Sequence, residues 1–288
     1  MKKLLLISSS LLLLTACGLL TGDDSRKEFD PSHDIHVITR ENGAGTRASF
    51  VEIVDIKDEK GEDAITQTAT VQNGTSVVMQ GVAGDQHAIG YISLGSLNDS
   101  IKGIEIDGAP PTTEAIAAGD YTVTRNFNVA YGSQLSPVAQ DFYDFFFSAQ
   151  AQEIAGDMGY VGVNAAAERY EAQDLVGDVS VVGSTSVEPL MTALSEAYRE
   201  INPQVTIDIT APGSGAGIQA AIEDSADIGM SSRELSADET AAVEGVDAIA
   251  VDGIAIILNQ KNPVSGLSLD QLRGIYEGKI TNWSELVE

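Results

Sequence analysis

Apolar and polar positions along this chain switch repeatedly between a period of two and a period near 3.6. Ile35, Val37 and then Thr39 alternate as in a strand, and residues 47–56 read as the opening of a helix. Between them lies Arg40-Glu41-Asn42-Gly43-Ala44-Gly45-Thr46. The switch recurs at 179–182, a β-rich run followed by Gly183-Ser184-Thr185-Ser186 and a helical pattern over 187–201. In that pattern Leu190, Leu194, Tyr198 and Ile201 share one face. It recurs again where Val205, Ile207 and Ile209 lead through Gly213-Ser214-Gly215-Ala216-Gly217 into helical residues 218–223.

The remaining elements follow from the same periods. Residues 66–71 form a β-like run, and Gln72-Asn73-Gly74-Thr75-Ser76 is a turn or helix start before 77–82. Residues 87–94 read as a buried strand, 101–106 and 121–131 as further strands, and 112–118 as a short helix. Residues 136–158 read as one amphipathic helix whose Val138, Phe142, Phe145, Phe146, Ile154 and Met158 belong to the core. Residues 165–174 are helical or linking. Residues 226–230 are a short strand ending in Ser231-Ser232-Arg233-Glu234, and 248–251 and 254–259 are two strands. Ser268 and Gln271 form a capping box for a helix over 269–276. Strands alternating with helices predict an α/β class with mostly parallel sheets.

The three glycine-rich strand-to-helix loops carry the candidate chemistry. A helix start leaves backbone N–H groups without intrahelical partners, and the helix dipole favours negative charge there. Arg40 adds a cation with a fork of donors suited to an oxyanion. Thr46 and the serines and threonine of the other loops add hydroxyls. Together they predict an oxyanion site; taken singly, each loop is equally a tight turn.

Residues 1–17 read as a leader rather than as fold. Lys2 and Lys3 precede a largely apolar run over 4–14, too short to span a bilayer, and Leu14-Thr15-Ala16-Cys17 follows. That ending resembles a bacterial lipobox, which implies cleavage before Cys17 and lipidation of Cys17. Cys17 is the only cysteine, so the folded part holds no disulfide and no thiol nucleophile. Residues 18–34 are short, polar and charged, as in a tether from lipid to domain.

Composition is ordinary for a globular chain, with 43% hydrophobic and 20% charged residues, but formal net charge is −27. That excess argues against nucleic acid and repels free anions at long range. An anion site must therefore act by short-range hydrogen bonds in a sheltered cleft. A hydrolase using Ser184, Ser186 or Ser214 would need a base, and the chain has only His33, His36 and His87. No Gly-x-Ser-x-Gly elbow and no metal-ligand spacing occurs, so no catalytic residue, metal or cofactor is expected.

Several stretches resemble the phosphate-binding proteins of bacterial ABC transporters, which have the two-lobed periplasmic-binding-protein fold. They are residues 181–189, 213–217, 227–233 (Asp-Ile-Gly-Met-Ser-Ser-Arg), 275–283 (ending Ile-Thr-Asn-Trp), 40–47 and 88–91. Their order resembles a circular permutation of the usual one, as in streptococcal-type members. The resemblance implies a class II type fold with ligand in the interlobe cleft, one lobe formed by 35–127 plus 252–288 and the other by 128–251. It implies phosphate contacts from Arg40, Ala44, Gly45, Thr46, Thr185, Ser186, Ser214 and Ser232. It also implies a monomeric lipoprotein on the extracytoplasmic face that delivers phosphate to an ABC permease and its ATPase. Two departures bear on selectivity. Ala44 replaces a serine common in that loop, and Ser232 replaces an aspartate that accepts the proton of hydrogen phosphate. Sulfate or molybdate as ligand, or a surface adhesion or signalling role with a vestigial pocket, are the alternatives; Glu41 or Glu234 could supply the missing carboxylate.

Overall fold

A computed structural model describes residues 29–286. The leader at 1–17, Cys17 and most of the tether at 18–34 lie outside the described residues.

The chain opens with β1 (His36–Arg40), α1 (Gly45–Val54), β2 (Thr70–Gln72), α2 (Thr75–Gly84) and β3 (Ala88–Ser93). Both faces of β3 are covered, which is why all six of its residues are buried and apolar or small. Short strands β4 (Ile101–Gly103) and β5 (Glu105–Ile106) and helix α3 (Thr113–Ala118) lead to β6 (Thr124–Tyr131). Next come α4 (Pro137–Phe145), α5 (Ala149–Asp157), β7 (Val161–Gly162), β8 (Gly177–Gly183), α6 (Glu188–Ile201), β9 (Val205–Thr210), α7 (Ser214–Ile222), β10 (Ile228–Ser231) and α8 (Ala237–Ala242). The chain returns through β11 (Gly245–Asn259), then β12 (Gly266–Leu267) and α9 (Leu269–Tyr276).

The main sheet runs β2-β1-β3-β11-β6-β10-β8-β9, with β4 and β7 also paired to β11. Its outer strands are parallel, β1 with β2 and β3, and β8 with β9 and β10. Its middle is antiparallel, because β11 pairs with β3 at one end and with β6 along the other. The outer parallel strands are joined by helical crossovers, and the antiparallel middle is where the chain passes from one half to the other.

Two large apolar cores and a smaller one around Ile38, Val78, Val82, Ile92 and Ile257 pack against the sheet. One large core gathers Phe50, Tyr91, Tyr121, Ile254, Ile256, Leu272, Tyr276 and Trp283. The other gathers Phe127, Phe142, Phe145, Phe146, Val181, Leu190, Met191, Tyr198 and Met230. The first and last described segments lie side by side. Asp34 bridges Asn282, and the Ile35 N–H donates to the Thr281 carbonyl at 2.7 Å.

Several readings of the pattern change in the structure. The strand expected over 101–106 is two, β4 in the main sheet and β5 in a separate pair with β12, and of the run at 66–71 only the last two residues enter a strand, β2. The single helix expected over 136–158 is two, α4 and α5. Ser148 accepts from Ala151 N–H at 3.3 Å and caps the second helix, while Ala149 N–H donates to the Glu168 carbonyl. A serine that offers the backbone a side-chain acceptor favours a new helix start over continuation. The two strands expected at 248–251 and 254–259 are one fifteen-residue strand. Asp252 and Gly253, which look like a break, stay in the ladder opposite Arg125 and Thr124. The segment 165–174 is linking, without a helix, and α8 was not anticipated.

Candidate functional site: an interlobe hydroxyl cluster

The starts of α1, α2, α6 and α7 meet at one place between the two cores. Arg40, the last residue of β1, is 2% exposed despite its charge. Its Nε and Nη2 donate to the two carboxylate oxygens of Glu41 at 2.8 and 2.7 Å, and Nη2 also donates to Thr185 Oγ at 3.0 Å. Burial works against the charged form of Glu41. The Arg40 hydrogen bonds and charge, with help from backbone N–H groups including that of Gly74, outweigh it and hold the carboxyl below its usual value. Arg47 fixes the same turn by donating to the Arg40 carbonyl at 2.8 Å.

Hydroxyls from both sides then bond to one another. Thr46 Oγ lies 2.8 Å from Ser186 Oγ, and Thr75 Oγ lies 3.4 Å from Ser186 Oγ and 3.5 Å from Thr185 Oγ. Ser184 Oγ donates to Ser232 Oγ at 2.9 Å, and Ser214 Oγ lies 3.3 Å from it. Thr46, Ser184, Ser186, Ser214 and Ser232 are all nearly fully buried. Apart from Ala44, whose methyl is buried beside them at the start of α1, each expected residue contributes a polar group or a close backbone approach here.

Gly45 shows how closely the loops approach. A Cβ there would lie 2.3 Å from Ser214 Oγ and 2.6 Å from Ser232 Oγ, so no other residue fits without pushing the loops apart. The Gly215 N–H also donates to the Gly43 carbonyl at 3.1 Å, a backbone bond between the two halves. Gly217 serves the same end inside one half. A Cβ there would meet Gly183 Cα at 2.6 Å, so glycine lets α7 sit down on the ends of β8 and β10.

None of the four helices starts with a side-chain cap. Their N-cap positions are Ala44, Gly74, Val187 and Gly213. Hydroxyls can turn to donate or accept, so a tetrahedral oxyanion could replace their mutual bonds and take donors from several directions at once. Arg40 is paired with Glu41, so hydroxyls and backbone dipoles make up most of the remaining polar lining.

Thr75 escaped the sequence reading as a site residue. The signal was present as Gly74-Thr75, a fourth glycine-marked helix start followed by a hydroxyl residue. Glu234 sits apart from the cluster, accepting from Asn126 Nδ2 at 2.9 Å on the surface. The three histidines gather elsewhere: His33 stacks on His87 at 4.4 Å, and His36 bonds Asp85. Among the described residues no group of three or more His, Cys, Asp or Glu is arranged to hold a metal.

Comparison with known proteins decides the family. The PBP superfamily domain matches residues 23–150 and 168–287. "Phosphate-binding protein PstS 2" of Streptococcus pneumoniae is 44% identical over 276 residues, covering 95% of this chain and 94% of that one. The chain belongs to the PstS-like phosphate-binding protein family. The Streptococcus agalactiae "Phosphate-binding protein PstS 2" (serotype V strain) is 41% identical over 280 residues, covering 95% of this chain and 94% of that protein. A crystal structure of a phosphate ABC transporter phosphate-binding protein from S. pneumoniae superposes with a TM-score of 0.72 at 45% identity. It covers 88% of this chain and 100% of that one. The PstS-like fold is thus the two-lobed periplasmic-binding-protein fold.

Proposed function

We propose that this protein captures inorganic phosphate between its two lobes and delivers it to an ABC permease and its ATPase for import. The observation that carries the reading is the convergence of four uncapped helix starts and a buried arginine on one hydroxyl cluster, in a chain of the PstS-like family. Arg40, the backbone at Ala44 and Gly45, and the hydroxyls of Thr46, Thr185, Ser186, Ser214 and Ser232 are the proposed ligand contacts. Thr75 joins them. The lobes are 35–127 plus 252–288 and 128–251, a division the apolar cores support except at Phe127, which packs with the second lobe. Ligand favours closure because only the closed form offers contacts from both lobes.

The protein breaks no bond. It acts as a monomer on the extracytoplasmic face, held by lipid on Cys17; among the described residues no helix is long and apolar enough to cross a membrane. The contact of 32–35 with 281–283 supports a permuted order, because segments that follow each other directly in the usual order should stay neighbours when the chain is cut between them.

Calorimetric titration of phosphate-stripped protein tests the reading. Tight one-to-one binding of phosphate, lost in Arg40→Ala and weak for sulfate, is expected. Ser232 offers a hydroxyl where a carboxylate would repel sulfate, so comparable binding of the two anions would make this a broader oxyanion carrier. No binding of either anion by folded protein would sink the assignment.

A further inference from the structure

Outside the hydroxyl cluster, the strongest concentration of buried charge lies on the two strands that the lobes share. Arg125 of β6 and Asp252 of β11 are register partners and are 6% and 0% exposed. Arg125 Nε and Nη2 both donate to Asp252 Oδ2, at 3.0 and 2.8 Å. Asp252 Oδ1 accepts from Ser93 Oγ at 2.8 Å and from the Leu94 N–H at 3.2 Å, at the end of β3. The carboxylate is therefore fully partnered, which a buried charge requires.

One nitrogen of Arg125 is not spent on Asp252. Nη1 donates to the Ser232 carbonyl at 3.2 Å. The same carbonyl accepts from Ser49 Oγ at 3.0 Å, and Ser49 lies on α1 beyond the lobe boundary. The Ser232 N–H donates to Ser214 Oγ at 3.1 Å, and its hydroxyl accepts from Ser184 Oγ. Every polar atom of this residue is thus assigned, and its carbonyl is held by one donor from a shared strand and one from the opposite lobe. Losing both bonds would leave a buried carbonyl without a partner and loosen the backbone that carries the Ser232 hydroxyl into the cluster.

We propose that Arg125 and Ser49 are positioning residues for the anion site, acting through the Ser232 carbonyl. Arg125 ties the ligand loop of one lobe to the shared strands and, through Asp252, to the end of β3 in the other lobe. Ser49 closes the same carbonyl from α1, so the pair of bonds forms only when the lobes meet. Neither side chain needs to touch the anion. The inference rests on the phosphate reading and names how that site is held in shape.

The test uses Ser49→Ala, Arg125→Lys and the double variant, each measured for thermal unfolding without phosphate and for phosphate affinity by calorimetry. Lysine keeps the charge beside Asp252 but lacks the guanidinium fork that reaches the carbonyl as well. Ser49→Ala should weaken phosphate binding about fivefold and Arg125→Lys about tenfold or more, since each removes a bond to the Ser232 carbonyl and the lysine also gives up the fork on Asp252. Because both act on one carbonyl, the double variant should fall well short of the product of the two effects. A purely structural role would lower the melting temperature without this coupling in affinity. Affinities of folded Ser49→Ala and Arg125→Lys within twofold of the parent would overturn the inference, as would effects that simply multiply. Should Arg125→Lys fail to fold, an unchanged affinity in Ser49→Ala overturns it alone. A parent protein that binds no phosphate would instead remove the functional reading itself.

Discussion

Among the described residues the helix starts divide into two kinds, and the division follows location. Around the periphery, α3, α4, α5, α8 and α9 each begin at a serine or threonine whose hydroxyl accepts a first-turn N–H. Two of these, at Ser236 and Ser268, are complete capping boxes with Glu239 and Gln271. At the centre, α1, α2, α6 and α7 begin without any such cap. A capped helix has answered one of its orphan donors from its own sequence and depends less on a partner from outside. An uncapped start needs a partner from outside, and here the four share one meeting point. The central hydroxyls are one step displaced from capping: they belong to first-turn or pre-turn residues and face each other across the lobes.

The strongest way to break the comparison is Gly45→Ala. Its Cβ would sit 2.3 Å from Ser214 Oγ, on the opposite lobe. Gly45 has ordinary helical geometry, so alanine suits α1 itself and the fold should survive. The expected result is intact unfolding behaviour with phosphate affinity down by about 100-fold, or roughly 3 kcal/mol. A variant that still binds like the parent would show that the loops part freely at no cost to binding.

Removing single hydroxyls should act more gently. Thr46→Val keeps the shape but deletes the oxygen 2.8 Å from Ser186 Oγ, and Ser186→Ala deletes its partner. Each should weaken phosphate binding about five- to tenfold in calorimetry, the effect of about 1 kcal/mol per hydrogen bond. The peripheral counterpart is Ser268→Ala, which removes the acceptor for Gln271 N–H at 3.1 Å. It should cost about 1 kcal/mol of stability in denaturant unfolding and leave the affinity for phosphate unchanged. If the central variants lost stability and the peripheral one lost affinity, the two kinds of helix start would not be functionally distinct.

Much of this architecture was legible from period and punctuation alone. The three loops at Arg40–Thr46, Gly183–Ser186 and Gly213–Gly217 stand between a period-two run and a helical run, and they come together in space. The Ser268–Gln271 capping box was visible because both partners are local in sequence. What escaped was long-range. The break at Ser148 depends partly on the Glu168 carbonyl taking the Ala149 N–H, a contact across twenty residues that periodicity cannot carry. The continuity of β11 through Asp252 depends on Arg125, a buried countercharge far off in sequence. Without that partner, Asp252-Gly253 has every local mark of a turn. Thr75 was missed because Gly74-Thr75 looks like any helix start until Ser186 is placed opposite it.

Charge offers the finest contrast between the two regions, through two Arg–carboxylate pairs at different depths. Arg233 on the periphery binds Glu239 through both carboxylate oxygens and holds its pKa at about 2. Arg40 at the centre binds Glu41 in the same two-oxygen manner, and Glu41 also sits below its usual value, though there burial opposes the shift before the Arg40 bonds outweigh it. Both folded-state values lie below the unfolded one, about 4.3 for glutamate. Each carboxylate therefore contributes stability that is fully present above that value and is lost as pH falls through the folded value. Glu239→Gln and Glu41→Gln should each flatten the acid limb of stability, measured as denaturant midpoints between about pH 5 and 2. Only the central substitution should also change phosphate binding at neutral pH. Freed of its carboxylate, Arg40 can turn its full charge to the anion, so Glu41→Gln should bind phosphate and sulfate more tightly, by a factor of a few in calorimetry. An unchanged affinity would mean that the Arg40–Glu41 pair shapes the turn rather than the charge of the site.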